Sequence, residues 1–173
     1  MGTVALLMAL ALGQAARHAR HAQAPATFRI AGAVEKPGEW TVERVTKKFA
    51  SDMHPVHYTL KGQQSMARCV SLLSLVQAAK PRLDPKIKNH QLAFEVMVRA
   101  KDGYAVAFSL GELLPQYGNR AVWIALDRDG QPLSDDTAPV QLLVPDDAKP
   151  ARWVRAVTEI TVVDGAQGRG KKE

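Results

Sequence analysis

Residues 91–108 constrain the fold more than any other stretch of this chain. Leu92, Phe94, Val96, Val98 and Ala100 alternate with Gln91, Ala93, Glu95, Met97 and Arg99, the period-two pattern of a strand with one buried face. Asp102-Gly103 then supplies a two-residue hairpin signal. On the return, Tyr104, Val106 and Phe108 alternate with Ala105 and Ala107. Ser109-Leu110-Gly111-Glu112 follows as a capping box for a short helix, stopped by Pro115 and Gly118.

The remaining segments fit around that hairpin. Thr27–Val34 reads as a strand broken by Glu35-Lys36-Pro37-Gly38. Trp40–Phe49 reads as a short helix capped by Thr41, with Val42, Val45 and Phe49 on one face. His57–Leu60 is a strand ended by Lys61-Gly62. Cys69–Ala79 is the best helix, with Val70, Leu73 and Val76 on one side and Leu72, Leu75 and Ala79 widening the stripe; Lys80-Pro81 stops it. Residues 80–90 hold two prolines and four lysine or arginine residues and read as an exposed loop. Arg120–Leu126, Val140–Val144 and Val157–Val163 complete the strands. Strands dominate and two or three short helices interrupt them without a regular βαβ alternation, which makes the class α+β. The 173 residues, 46% hydrophobic and 23% charged, suit one domain of ordinary size without disulfides.

The N-terminus differs from the rest. Val4–Leu12 is an apolar run too short to span a bilayer. An alanine-rich polar stretch follows from Gln14 to Ala24. That order is the pattern of a secretory signal peptide, and the expectation is removal of residues 1–24 and a periplasmic or secreted mature protein. An uncleaved N-terminal anchor is the alternative. The formal charge of +6 becomes +4 without Arg17 and Arg20. Its basic residues are scattered and lack the aromatic interleaving of a nucleic-acid surface. Cys69 is the only cysteine, so no internal disulfide exists, and its apolar neighbours mark it as a small buried hydrophobe. From Gly165 the Gly, Gln, Arg and Lys tail reads as disordered. The domain is thus expected over 25–164.

Several pieces, in order, carry a family resemblance. They are Gly32-Ala33-Val34-Glu35-Lys36-Pro37-Gly38-Glu39-Trp40, Cys69-Val70-Ser71-Leu72-Leu73-Ser74-Leu75-Val76 and Asp102-Gly103-Tyr104. Phe108-Ser109-Leu110-Gly111-Glu112-Leu113, Asp129-Gly130-Gln131-Pro132-Leu133, Leu142-Leu143-Val144-Pro145 and Arg152-Trp153-Val154-Arg155-Ala156-Val157 follow. Together they resemble the molybdopterin-binding domain of the sulfite-oxidase-type oxidoreductases in a small, exported version. The resemblance implies a β-rich, mixed-sheet, barrel-like fold. It also implies a molybdenum held by a pterin dithiolene and one protein thiolate, a donor suited to a redox-active metal. The family's cysteine lies near the end of the strand before the long helix. Here that place reads Tyr58-Thr59-Leu60-Lys61-Gly62, with no thiol, and Cys69 falls several residues later, where the family has glycine. The family's arginine before the Val-Pro strand is replaced by Val140-Gln141.

A fold carries no function without its site. The expectation is therefore a non-catalytic periplasmic binding or accessory module with no cofactor, its partner an envelope protein or a small anionic ligand. Two alternatives stand beside it. One is a small molybdopterin-dependent oxidoreductase without the thiolate, and the other a structural subunit of an envelope complex. Tyr104, Arg152 and Trp153 are the candidate cofactor- or anion-binding residues. Tyr104 and Trp153 also read as core aromatics that use their polar edges for hydrogen bonds. His54 and His57, with His90 distant, read as surface histidines and not as a metal site. Asp127-Arg128-Asp129-Gly130 reads as a hairpin turn, because a calcium loop in that register would need a ligand at Ala125. Asp135-Asp136 and Asp146-Asp147 read as loop charges.

Overall fold

The computed structural model describes residues 26–166. The segment 1–24 expected to be a signal peptide, and the tail from 167 onward, lie outside the described residues. The elements run β1 (Thr27–Gly32), β2 (Gly38–Thr41), α1 (Val42–Lys48), β3 (His54–Leu60), β4 (Gln63–Ser71) and α2 (Leu72–Ala79). They continue through β5 (Phe94–Ala100), β6 (Ala105–Ser109), α3 (Leu110–Leu113), β7 (Trp123–Ala125), β8 (Asp127–Arg128), β9 (Gln131–Pro132), β10 (Gln141–Leu143) and β11 (Val157–Asp164).

The period-two segment becomes the spine of a five-stranded sheet in the order β2-β1-β11-β5-β6. β1 runs parallel to β11 and the other pairs are antiparallel, so the sheet is mixed. Phe94, Val96 and Val98 of β5 and Ile160 and Val162 of β11 face one core, which α2 covers with Leu72, Leu75, Val76 and Ala79. Each such side chain contributes about 1.5–3 kcal/mol on burial. A second sheet, β10-β7-β4-β3, is antiparallel throughout and leaves β3 as a free edge. Neither sheet closes into a barrel.

The largest departure from the sequence reading lies between β3 and α2. Lys61 and Gly62 both take positive φ (51° and 79°) and close a tight hairpin, so β3 is followed by the nine-residue strand β4. The α2 helix therefore starts at Leu72 and not at Cys69. Cys69, Val70 and Ser71 are paired with Ala125, Ile124 and Trp123 of β7. Ser71 caps the helix, its Oγ accepting from Ser74 N at 2.9 Å. The Trp40–Phe49 segment likewise divides, with Gly38–Thr41 pairing β1 as β2 before Thr41 caps α1 by accepting from Arg44 N. The 120–126 strand contracts to Trp123–Ala125.

Gly32 marks a close crossing of the sheet. Its φ is +92°, and a Cβ there would sit 2.1 Å from the carbonyl oxygen of Val162 on β11.

His90 is not a surface histidine. It is 4% exposed, stacked edge-on against Phe94 with ring centroids 5.0 Å apart. Nδ1 accepts from Asp84 N at 2.8 Å, so Nε2 carries the proton and donates to Asp164 Oδ1 at 3.1 Å. Beyond Asp164, Gly165 N still bonds Ala93 O (2.9 Å) and Ala166 N bonds Asp164 Oδ1 (3.0 Å).

Candidate functional site

The hairpin end of β3 and β4 forms the floor of a cleft of about 590 Å³. Tyr58 and Ser65 are cross-strand partners in that floor, flanked by Thr59 and Gln64. Trp153 and Pro145 make one wall, and Met66 with Asp129 another. The edge of Tyr58 meets the Trp153 ring at 5.4 Å between centroids and 83° between planes. Trp153 is fixed in turn by Nε1–H donating to Val144 O at 2.9 Å.

The β8–β9 turn is locked onto this floor. Asp129 (φ 52°) and Gly130 (φ 74°) form the turn that the sequence suggests. The acids of that segment then extend the β4 ladder: Asp129 Oδ1 accepts from Met66 N (2.8 Å) and Asp127 Oδ1 from Arg68 N (2.9 Å). Between them, Arg128 reaches the hydroxyl of Tyr58, a residue of the cleft lining. Its Nε donates to Tyr58 Oη at 3.0 Å and one terminal nitrogen to Gln141 Oε1 at 3.1 Å. Both acceptors are neutral. Among the described residues no carboxylate lies within ion-pair distance of this half-buried guanidinium; it meets the cleft through Tyr58, whose ring lines it beside the exposed Asp129.

The three candidate residues from the sequence are separated. Trp153 lines the cleft. Tyr104 is half exposed and donates its hydroxyl to Ala151 O at 2.6 Å. Arg152 lies over the Phe108 ring at 4.8 Å and turns to carboxylates, with Nε on Asp147 Oδ2 (2.8 Å), one terminal nitrogen on Asp147 Oδ1 (2.7 Å) and the other on Glu112 Oε1 (3.2 Å). Arg120 joins the same two acids. Asp147 is thus no loose loop charge. The hydrogen bonds from Arg152, with those from Arg120, hold its carboxyl below the usual carboxylate range against the opposing effect of burial. Glu112 also departs from the capping-box reading, because Ser109 Oγ does accept from Gly111 N but the Glu112 carboxylate goes to the two guanidiniums. Charge-assisted pairing outweighs a bond to a neutral amide.

A molybdenum–pterin group does not fit these residues. The cleft falls at Tyr58 and Thr59, in the stretch to which the resemblance assigns the protein thiolate, and no sulfur donor other than the Met66 thioether lines it. Cys69 shares a strand face with Ser65 and Ala67 but lies four residues along β4, roughly 13 Å away. It is fully buried with Val56, Ala125 and Leu143, and Sγ contacts Ala67 O at 3.6 Å. Burial, with the nearby Asp127 charge, pushes its thiol up to about 12, which keeps it protonated. No group of three potential metal-ligating side chains occurs among the described residues. The arginines nearest the 145–153 segment are neutralised by Asp147 and Glu112, leaving them poor hosts for a pterin phosphate.

Sequence reasoning missed Tyr58, Arg128 and Asp129 as partners. The available signal was Lys61-Gly62, a hairpin turn that would have placed Tyr58 opposite Ser65.

The architecture is a β-rich α+β fold, with a five-stranded mixed sheet, a four-stranded antiparallel sheet, the β8–β9 hairpin and three short α-helices among the described residues. The chain is similar to the sulfane dehydrogenase SoxCD from Paracoccus pantotrophus, with a TM-score of 0.57 and 16% identity; the match covers 80% of this chain and 38% of that one. At that identity the likeness concerns the fold alone, and the chain spans well under half of the neighbour's length. No family model and no curated protein matches the sequence.

Proposed function

We propose that this chain is an exported, non-catalytic binding or accessory module on a sulfite-oxidase-type scaffold, and that the Tyr58–Trp153 cleft holds a small anionic ligand. The observation that carries this reading is Arg128, a half-buried guanidinium bonded only to neutral oxygens, one of them the hydroxyl of Tyr58, which lines a cleft without a thiol. A ligand anion would supply the missing counter-charge, the aromatic pair would cover its apolar part, and Ser65 and Gln64 would offer polar contacts. Holding molybdenum as the family does would require a protein thiolate, and no cysteine lines this cleft.

Inorganic phosphate and sulfate, titrated separately and followed by the Trp153 indole and Tyr58 ring resonances, test the reading. The expected result is saturable binding of at least one anion, weakened roughly tenfold or more by Arg128→Gln. Absence of any saturable shift, or equal binding by Arg128→Gln, overturns it.

A further inference from the structure

Residues 82–89 are exposed without interruption and contain neither helix nor strand, yet the loop is firmly built. Asp84 organises it with three bonds. Its N–H donates to His90 Nδ1 (2.8 Å), its carboxylate accepts from Lys86 N (2.8 Å) and its carbonyl accepts from Ile87 N (3.1 Å). The His90 anchor is in turn held by the enclosed Asp164 carboxylate. At the other end Pro81 bridges Val34, and Arg82 N bonds Ala33 O at 2.9 Å. A buried His–Asp pair is thus committed to fixing the shape of a segment that packs little of itself into the core.

What the loop presents is a mixture of cations and bare aliphatics. Leu83 is 48% exposed and Ile87 43%. Arg82, Lys86 and Lys88 are interspersed with them, and among the described residues none has a carboxylate within ion-pair distance. The sole acid of the loop, Asp84, has its carboxylate turned to a backbone amide. Lys80 at the loop base pairs only at 3.7 Å with the exposed Glu35.

We infer that the 81–89 loop docks on an anionic phospholipid surface, with Leu83 and Ile87 entering the headgroup boundary and Arg82, Lys86 and Lys88 meeting phosphates. Apolar insertion and cation–headgroup attraction act together at such surfaces, each cation adding a modest increment. The fixed loop shape lowers the ordering cost of docking. A flat acidic protein face would satisfy the cations but would give two isolated aliphatic tips no matching pocket. This inference is independent of the cleft reading.

The test is flotation of the full chain with vesicles of phosphatidylcholine alone and of phosphatidylcholine and phosphatidylglycerol in equal parts. The N-terminal apolar run is common to every variant, so differences between variants read the loop. Wild-type protein is expected to bind the anionic vesicles roughly tenfold or more tightly than neutral ones, with the preference lost at high salt. Lys86→Glu/Lys88→Glu should abolish the preference. Leu83→Ser/Ile87→Ser should weaken anionic-vesicle binding several-fold, with an unchanged melting transition for both variants. Wild-type affinity in both variants, or no binding of the wild-type protein to anionic vesicles, overturns the inference; capture by polyglutamate in the latter case would point to an acidic protein partner instead.

Discussion

Tyr58 Oη accepts a hydrogen bond from Arg128 Nε at 3.0 Å, joining the free edge strand of one sheet to the turn that closes over it. Through this bond a guanidinium without a carboxylate partner is held against Tyr58, a residue of the cleft lining. Tyr58→Phe removes the acceptor but keeps the ring against Trp153. It is expected to cost about 1 kcal/mol in stability and to weaken phosphate or sulfate binding less than Arg128→Gln does. Urea unfolding and anion titration of the two variants check the order.

Cys69 is expected to resist alkylation in the folded protein. At pH 8 a thiol pushed up to about 12 is ionised only to roughly one part in ten thousand, and it has no exposed surface. Labelling by iodoacetamide, followed across a urea series, should rise in step with unfolding. Rapid modification of native protein would show that the β4 strand opens locally.

The Asp147 carboxyl is held below its ordinary range by Arg152 and Arg120. A folded-state pKa lower than the unfolded one contributes stability that is complete above about pH 4 and is lost as the pH falls through the depressed value. Asp147→Asn is therefore expected to cost about 1–3 kcal/mol at neutral pH and to flatten the acid limb of the stability profile. Thermal melts between pH 2 and pH 7 (a range set by the ordinary carboxylate value of about 4) check both effects.

His90→Leu leaves the Asp164 carboxylate enclosed without its main partner. The expected cost is about 3–5 kcal/mol. His90→Leu/Asp164→Leu should recover part of that loss, because an apolar pair leaves no unpaired charge. A double-mutant cycle in urea measures the coupling.

Gly32→Ala forces a side chain onto the Val162 carbonyl oxygen and into a left-handed backbone. A loss of about 3 kcal/mol or more is expected, read as a shift of the urea midpoint at unchanged slope.

What the sequence reveals and what it hides divide along physical lines. The β5–β6 hairpin is legible because one face is more buried than the other, which writes the period of two into Phe94–Ala100; Leu92, read as part of that strand, instead lies exposed in the turn before it. α2 is legible for its apolar stripe, but its start is displaced by three residues. Cys69, Val70 and Ser71 are as apolar or small as a helix turn, and only pairing with β7 decides their conformation. β4 is hidden because Gln63–Arg68 is mostly polar and its first residues are exposed at the hairpin end, so the stretch shows no apolar alternation. The fold class and the lack of a thiol at Tyr58–Gly62 could be read from the chain; Trp153, named through the family resemblance as a candidate binding residue, lies in the lining of the cleft. Arg128 could not, because its meaning depends on which charges are absent around it in space. Arg152 misled for the same reason, since Asp147 and Glu112 neutralise it from segments five and forty residues away.

The central claim is that this scaffold presents a thiol-free anion cleft where a metal–pterin would need a sulfur donor. Its most direct test is molybdenum and pterin analysis of the protein recovered after expression in its native host, with Cys69→Ala alongside. The account predicts neither molybdenum nor a fluorescent pterin oxidation product near stoichiometry in either sample. Near-stoichiometric molybdenum in the unmodified protein contradicts it, most sharply if Cys69→Ala loses the metal.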